Sequence, residues 1–159
     1  MARRRASKQR VLISDPIYNN VLVTKLINRA MRDGKKSVVQ KQVYKAFEII
    51  KSKLNEEPVA VFLRAIENIK PSMEVRSRRV GGAAYQVPQP VRGVRKESLA
   101  IRWMVESSNK RSNSEFHTFG EKLAAEIMDA SRGEGGAVKK RTDMEHVAEA
   151  NKAFSHFRW

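Results

Sequence analysis

The feature that most constrains the fold of this chain is a change of hydrophobic period along the sequence. Three successive stretches place apolar residues at the i, i+3, i+4, i+7 spacing of a helix, and the pattern then alternates in twos over 72–91. The helical stripes are Val23, Leu26, Ile27 and Ala30; Val39, Val43, Ala46, Phe47, Ile50 and Leu54; and Val59, Phe62, Leu63, Ile66 and Ile69. Each stripe predicts an amphipathic helix that packs into a shared core.

Turn and capping residues indicate where these three helices begin and end. Asp33-Gly34 is expected to stop the first helix, and Ser37 to cap the start of the second. Pro58 is favoured in a first helical turn and opens the third helix, which Pro71 ends. The outer face of the second helix carries Lys41, Lys45, Lys51 and Lys53.

The alternating segment over 72–91 predicts a β-hairpin. Met73, Val75 and Ser77 alternate with Glu74, Arg76 and Arg78. Gly81-Gly82 gives the hairpin a glycine-rich tip. Pro88 and Pro90 restrict the returning strand to an edge, because proline cannot donate a ladder hydrogen bond. A lone two-stranded hairpin is marginally stable, so we expect this one to protrude from the helical body as an arm.

Three further helices are predicted after the hairpin. The fourth is expected to be central and well buried, with a wide apolar stripe of Leu99, Ala100, Ile101, Trp103, Met104 and Val105. Ser114 is the predicted cap of the fifth, which buries Phe116, Phe119, Leu123 and Ile127. The sixth falls within 137–151 after Gly133, Gly135 and Gly136, and it starts either with the turn 137–141 or at a capping box of Thr142 and Glu145. The sequence thus predicts a mainly α, six-helix single domain with a protruding β-hairpin between the third and fourth helices.

The chain divides into three predicted segments. Residues 1–14 form a basic arm without acidic residues, 15–152 form the helical domain with its hairpin at 72–91, and 153–159 form an aromatic tail. A tail with Phe157 and Trp159 is expected to dock, and either packing on this domain or stacking on a base fits these residues.

The charge of the chain indicates an anionic partner. It holds 32 Lys plus Arg against 17 Asp plus Glu, a net charge of +15, and such an excess opposes compaction. Nucleic acid is the first candidate partner and a membrane surface the second. Its longest apolar runs, such as 59–63, are too short to span a bilayer, and no apolar signal core follows the basic start. We therefore expect a cytoplasmic protein without a membrane segment.

No pattern of catalytic residues is present in the sequence. The chain has no Cys, and His117, His146 and His156 lie far from one another without metal-ligand spacing. No phosphate-binding glycine loop, nucleophile elbow or paired acidic cluster occurs. We therefore predict no enzyme, no catalytic residue, no metal, no cofactor and no small-molecule substrate.

Clusters of basic residues are the candidate nucleic-acid-binding sites. They are Arg3, Arg4, Arg5, Lys8 and Arg10 in the arm, Lys35-Lys36, Arg76 with Arg78-Arg79, Arg92 with Arg95-Lys96, Lys110-Arg111, and Lys139-Lys140-Arg141. The hairpin tip is small and apolar and consists of Val80, Gly81, Gly82 and Ala83, with Tyr85 close by. Such contacts position a protein on phosphates without reading base sequence. A DNA architectural protein whose hairpin enters the minor groove is the rival interpretation, and a nuclease is the third.

Seven strings in order along residues 2–159 resemble bacterial small-subunit ribosomal protein seven, the universal uS-seven family. They are Asp15-Pro16-Ile17-Tyr18, Asp33-Gly34-Lys35-Lys36-Ser37, 76–82, Tyr85-Gln86-Val87-Pro88, Ala100-Ile101-Arg102-Trp103, 137–141 and 150–159. Ala84 departs from the hydroxyl residue that is usual in the family.

The resemblance implies a six-helix body with a hairpin that binds the 3′ major domain of small-subunit ribosomal RNA and nucleates assembly of the subunit head. It implies a position near the decoding centre and the exit site for transfer RNA, with the hairpin tip facing that transfer RNA and messenger RNA. Ribosomal proteins nine and eleven of the small subunit are the implied neighbours, and some members repress translation of their own messenger RNA. The implied RNA contacts are the arm cations together with Lys35, Lys36, Arg76, Arg78, Arg79, Arg92 and Arg95.

Overall fold

The computed structural model of the protein describes residues 11–157. The arm cations Arg3, Arg4, Arg5, Lys8 and Arg10, and the terminal Trp159, lie outside this described part of the chain. Their predicted roles therefore stay predictions.

Six α-helices and one hairpin make up the described chain, in the predicted order. The elements are α1 (Val21–Ala30), α2 (Lys36–Leu54), α3 (Pro58–Ile69), β1 (Met73–Val80), β2 (Ala83–Pro90), α4 (Gly93–Lys110), α5 (Phe119–Ser131), α6 (Gly136–Ala150) and a terminal 3-10 helix (Lys152–Phe157). The predicted mainly α fold, with its hairpin between the third and fourth helices, is confirmed. No helix within residues 11–157 has the length and apolar character needed to cross a membrane.

The loop between α1 and α2 explains where α2 begins. Asp33 and Gly34 both adopt left-handed backbone conformations, at φ 51° and 72°, and turn the chain after α1. The Lys36 N–H then donates to Gly34 O at 2.8 Å, so the helical geometry starts at Lys36. The predicted cap at Ser37 is wrong, because Ser37 already lies in the first turn and the N-cap position belongs to Lys35, which makes no side-chain capping bond.

The centre of the core is α5, which packs against α2, α3 and α4. The fourth helix is well buried as predicted, but α5 is the element that the other helices surround. Its side chains Leu123, Ala124, Ile127 and Ala130 are all completely shielded from solvent. Gly120 permits the close approach of α2, because a Cβ at this position would lie 2.9 Å from Gln42 O.

The stripe of α3 also differs slightly from the prediction. Phe62, Ile66 and Ile69 are fully buried, whereas Val59 and Leu63 are only half-buried. Val61 and Ala65, which the predicted stripe omitted, are buried instead. The inward face is therefore rotated from the predicted one, because α3 is covered both by α5 and by α4.

The N-terminus of α5 is capped by Thr118 and not by the predicted Ser114. The Thr118 hydroxyl accepts the Glu121 N–H at 3.3 Å, and the Glu121 carboxylate accepts the Thr118 N–H at 3.3 Å. This reciprocal arrangement is a capping box. Ser114 lies in the preceding loop, where its N–H donates to the Ser112 hydroxyl.

A carboxylate from another helix accepts a hydrogen bond from a backbone N–H in the first turn of α6. The helix begins at Gly136, so the alternative start at a Thr142 capping box is wrong and the alternative with 137–141 as the first turn is correct. Glu126 of α5, which is 1% exposed, accepts the Ala137 N–H at 2.8 Å. The Thr142 hydroxyl instead donates to Val138 O within the helix.

The hairpin is packed at its base and protrudes only near its tip. Its strands pair from Met73 with Pro90 at the base to Val80 with Ala83 at the tip. Gly81 and Gly82, at φ 56° and 91°, form a two-residue turn at the glycine-rich tip that the sequence predicted. The base contacts α6 and the terminal 3-10 helix, so the expectation of a freely projecting arm holds for the tip alone.

We expect Thr118→Ala to lower the free energy of unfolding by about 1 kcal/mol, because the helix loses one half of its capping box. Urea denaturation followed by circular dichroism measures this loss as a shift of the midpoint at constant slope. Ser114→Ala is the matched control and should change stability by less than about 0.5 kcal/mol. A larger loss for Ser114→Ala than for Thr118→Ala would contradict the assignment.

Candidate nucleic-acid interface

One side of the molecule is a layer of three helices with α4 in the middle. Lys25 of α1 bonds to Glu97 of α4 at 2.6 Å, and Lys140 of α6 bonds to Glu106 near the other end of α4. The hairpin continues this layer, because Val75 of β1 lines a groove together with Trp103 of α4. We call the outer surface of α1, α4, α6 and the hairpin the basic face.

Three cations from three helices surround Glu106 on the basic face. The hydrogen bond from Lys140 is the main influence that lowers the pKa of the Glu106 carboxyl group, against the opposing effect of its partial burial. The charges of Arg102 and Arg29 lower the pKa further. The Glu106 carboxylate therefore interacts with three positive charges, more than its single negative charge can neutralise.

A second cluster joins the base of the hairpin to α4. Glu74 of β1 is 5% exposed and accepts hydrogen bonds from Arg76 Nε at 2.7 Å and from Arg95 Nε at 2.6 Å. Burial raises the pKa of the Glu74 carboxyl group, but the two guanidinium groups outweigh burial and the net shift is downward. The carboxylate is thus held in its charged form, and the cluster has a net positive charge.

Two further contacts fix the hairpin against the body. The Ser72 N–H and hydroxyl both donate to Glu145 Oε1 of α6, at 3.0 and 2.7 Å. On the other side, the Tyr85 ring lies 5.2 Å from the Phe154 ring and 5.4 Å from the Phe157 ring of the terminal 3-10 helix. The aromatic tail therefore docks on this domain through Phe157, which is the first of the two alternatives considered for the tail, packing on this domain or stacking on a base.

The remaining candidate cations divide into exposed and internally bound side chains. Those exposed to solvent, without an ion pair to any of residues 11–157, are Lys35, Lys36, Arg78, Arg79, Arg92, Lys110 and Lys139. The tip residues Gly81, Gly82 and Ala83 are exposed as well, and Val80 is half-buried. Apart from Arg79, whose Nε donates to Gly82 O at 3.5 Å, these long cationic side chains can reach phosphate oxygens without first breaking an internal side-chain bond.

Arg111 and Arg141 are bound inside the protein. Arg111 bridges Glu126 at 2.7 Å and Asp129, both on α5. Burial lowers the pKa of Arg111, but the two carboxylates outweigh it and the net shift is upward. Arg141 Nη1 donates to Asn68 O at 2.6 Å and so ties α6 to α3. Both side chains therefore hold separate helices of the fold together.

Arg29, Arg102 and Glu74 lie outside the clusters predicted from the sequence. Those clusters are runs of basic residues, whereas both arginines stand alone in sequence. The seven-residue spacing of Arg95 and Arg102 on α4 is a signal that could have identified Arg102, because such residues share a helix face. Arg29, on α1, has no such signal. Glu74 could not be found in this way, since its partner Arg95 lies 21 positions away.

Within the part of the chain that the structure describes, no group of three or more His, Cys, Asp or Glu side chains could hold a metal ion. The surface can bind phosphates through several separate groups of Arg and Lys donors.

Comparison with known proteins gives a match over almost the whole chain. The family model described as "Ribosomal protein S7p/S5e" matches residues 2–152. Proteins named "Small ribosomal subunit protein uS7" are similar over 159 residues, with 100% of both chains covered: that of Metamycoplasma arthritidis is 54% identical, that of Carboxydothermus hydrogenoformans 54% and that of Thermus thermophilus 52%.

We expect Arg111→Met to lower the free energy of unfolding by about 3 kcal/mol, because the substitution leaves the buried Glu126 carboxylate without its cation. The neighbouring Lys110→Met removes the same charge from an exposed position and should cost less than about 0.5 kcal/mol. Thermal and urea unfolding measure both. Equal losses for the two variants would contradict a structural task for Arg111.

Proposed function

The chain belongs to the family of ribosomal protein S7p/S5e, and from this premise we propose that its basic face binds the 3′ major domain of small-subunit ribosomal RNA and nucleates assembly of the subunit head. As a member of the family it is a non-enzymatic, RNA-binding structural protein of the small ribosomal subunit. The proposal concerns which RNA domain it binds, with which residues, and what that binding starts.

The observation that carries the proposal is the convergence of cations from separate elements on one face. Three helices contribute a cation each around Glu106, and the hairpin and α4 contribute one each around Glu74. These groups stand apart from one another, which suits several phosphate contacts on a folded RNA junction. Recognition then depends on shape and phosphate geometry, because the major groove of A-form RNA is too narrow to read.

Most of the candidate RNA contacts belong to the basic face, whereas Lys35 and Lys36 lie outside it, at the start of α2. Among residues 11–157 we propose the exposed cations Lys35, Lys36, Arg78, Arg79, Arg92, Lys110 and Lys139, together with Arg76, Arg95 and Lys140, whose internal partners leave further donors. The basic arm 1–14 adds a separate contact. Arg111 and Arg141 support these positions from within the fold.

The hairpin tip suggests a second role. Its exposed glycines Gly81 and Gly82 present backbone without side chains, so a neighbouring strand can approach closely. We propose that the tip faces transfer RNA at the exit site and nearby messenger RNA, close to the decoding centre. Ribosomal proteins nine and eleven are the proposed protein neighbours, and the same face would bind the protein's own messenger RNA if the protein represses its translation.

Chemical footprinting of small-subunit ribosomal RNA with and without the protein tests the binding site. Protection should be confined to one multi-helix junction in the 3′ major domain. Competition with duplex DNA tests the rival architectural role, in which a hairpin enters the minor groove. Equal affinity for duplex DNA and for the 3′ major domain would contradict the proposal.

We expect the double substitution Arg78→Ala with Arg79→Ala to weaken binding to the 3′ major domain without lowering the thermal stability of the free protein. If each arginine neutralises one phosphate, the slope of log affinity against log salt should fall by roughly 1.5. Filter binding over a series of salt concentrations measures both effects.

The matched control removes two lysines from α2. Lys51 and Lys53 lie in the last turn of α2, a helix that is not part of the basic face, and their charges interact favourably with the helix dipole. Lys51→Ala with Lys53→Ala removes the same charge and should leave the salt slope unchanged. An equal drop in slope for both pairs would show that charge alone, at any position, governs binding.

A further inference from the structure

We propose that Glu74, an acidic residue, is a positioning residue for RNA binding: its buried carboxylate holds Arg76 of the hairpin and Arg95 of α4 as one fixed pair of phosphate-binding groups. The inference rests on the proposed function, because it requires that the base of the hairpin faces RNA. RNA binding would then require an acidic residue in addition to the basic residues that contact phosphates.

The two carboxylate oxygens of Glu74 bind arginines from two different elements. Oε1 accepts Arg76 Nε at 2.7 Å and Nη2 at 2.6 Å, whereas Oε2 accepts Arg95 Nε at 2.6 Å. The Glu74 side chain is 6% exposed, but those of Arg76 and Arg95 are 52% and 46% exposed. The carboxylate thus contacts the inner edges of the guanidinium groups and leaves outer donors open to solvent.

Burial of Glu74 is not explained by stability alone. A carboxylate loses much of its hydration when it is buried, and replacing a buried ion pair by apolar side chains is often neutral or stabilising. The alternation of β1 also assigns Glu74 to the same strand face as the exposed Arg76 and Arg78. A buried acid at this position does have a consequence that an apolar residue lacks, because it fixes the spacing of two cations.

Fixing two arginines before binding raises affinity. Immobilising one long side chain at an interface lowers affinity by about 2- to 12-fold, and Glu74 removes part of this loss for two side chains at once. The negative charge of Glu74 by itself has the opposite effect on affinity, because a carboxylate near a phosphate backbone repels it. Removal of the Glu74 charge therefore separates the two effects.

The test measures the affinity of the full chain for the 3′ major domain RNA. We expect Glu74→Gln to weaken binding roughly tenfold, with an unchanged salt slope because both arginines remain. Glu74→Asp keeps the charge but shortens the side chain, and it should weaken binding too. Tighter or unchanged binding by Glu74→Gln would overturn the proposal.

The matched control is Glu56→Gln, which removes an exposed acid in the loop between α2 and α3, where it pairs with Arg64 at 2.6 Å. It should leave affinity unchanged or slightly raised. Thermal unfolding of every variant shows whether the fold is intact. If Glu74→Gln folds poorly, Glu74→Asp provides the test instead, because it keeps the charges of both ion pairs.

Substitution of the two arginines separates positioning from a general structural role. In the background Arg76→Ala with Arg95→Ala, Glu74→Gln should no longer weaken binding, because nothing is left to position. An equal loss in that background would mean that Glu74 only supports the fold, and would overturn the proposal.

If the double arginine variant itself bound normally, the hairpin base would not face RNA, and the proposed interface would fail there together with this inference. Weaker binding by the arginine variant with normal binding by Glu74→Gln and Glu74→Asp would overturn the inference alone.

Discussion

Repulsion among the positive charges is the constraint on which the arrangement of this protein depends. The chain carries a net charge of +15, and that charge opposes any compact state. The apolar core around α5 supplies the opposing stabilisation, with Leu123, Ala124 and Ile127 fully shielded from water. Carboxylates placed among the converging cations reduce the repulsion locally. Glu74 and Glu106 do so on the basic face without neutralising it, and Glu126 does so inside the fold.

Much of the fold could be predicted from the sequence, because its main signals are local. The change of period from helical spacing to alternation identified six helices and the hairpin in the correct order, and Gly81-Gly82 identified the turn. Several of the errors concern helix starts. Ser114 and Thr118 are equally good caps by residue type, but only Thr118 has a Glu three positions later. The start of α6 depends on Glu126 of another helix, and a contact between distant parts of the chain leaves no local pattern.

The candidate site was less predictable for the same physical reason. Runs of basic residues identify positive charge, but they do not indicate which cations have internal partners. Lys110 and Arg111 are adjacent in sequence, yet only Arg111 bridges two carboxylates of α5. Arg29 and Arg102 gain their importance only where α1, α4 and α6 meet around Glu106. The alternation of β1 places Glu74 on the same strand face as the exposed Arg76 and Arg78, but at the base of the hairpin Glu74 is buried and binds Arg95 of α4.

The central claim is that one face of the protein, formed by α1, α4, α6 and the hairpin, binds the ribosomal RNA. Amine acetylation followed by mass spectrometry measures it directly, because the reaction rate of each lysine reports its accessibility with and without the 3′ major domain RNA. We expect Lys110 and Lys139 to react more slowly in the complex, whereas Lys51 and Lys53 of α2 should keep the rates of the free protein. Equal protection of all four lysines, or protection of the α2 pair alone, would contradict it.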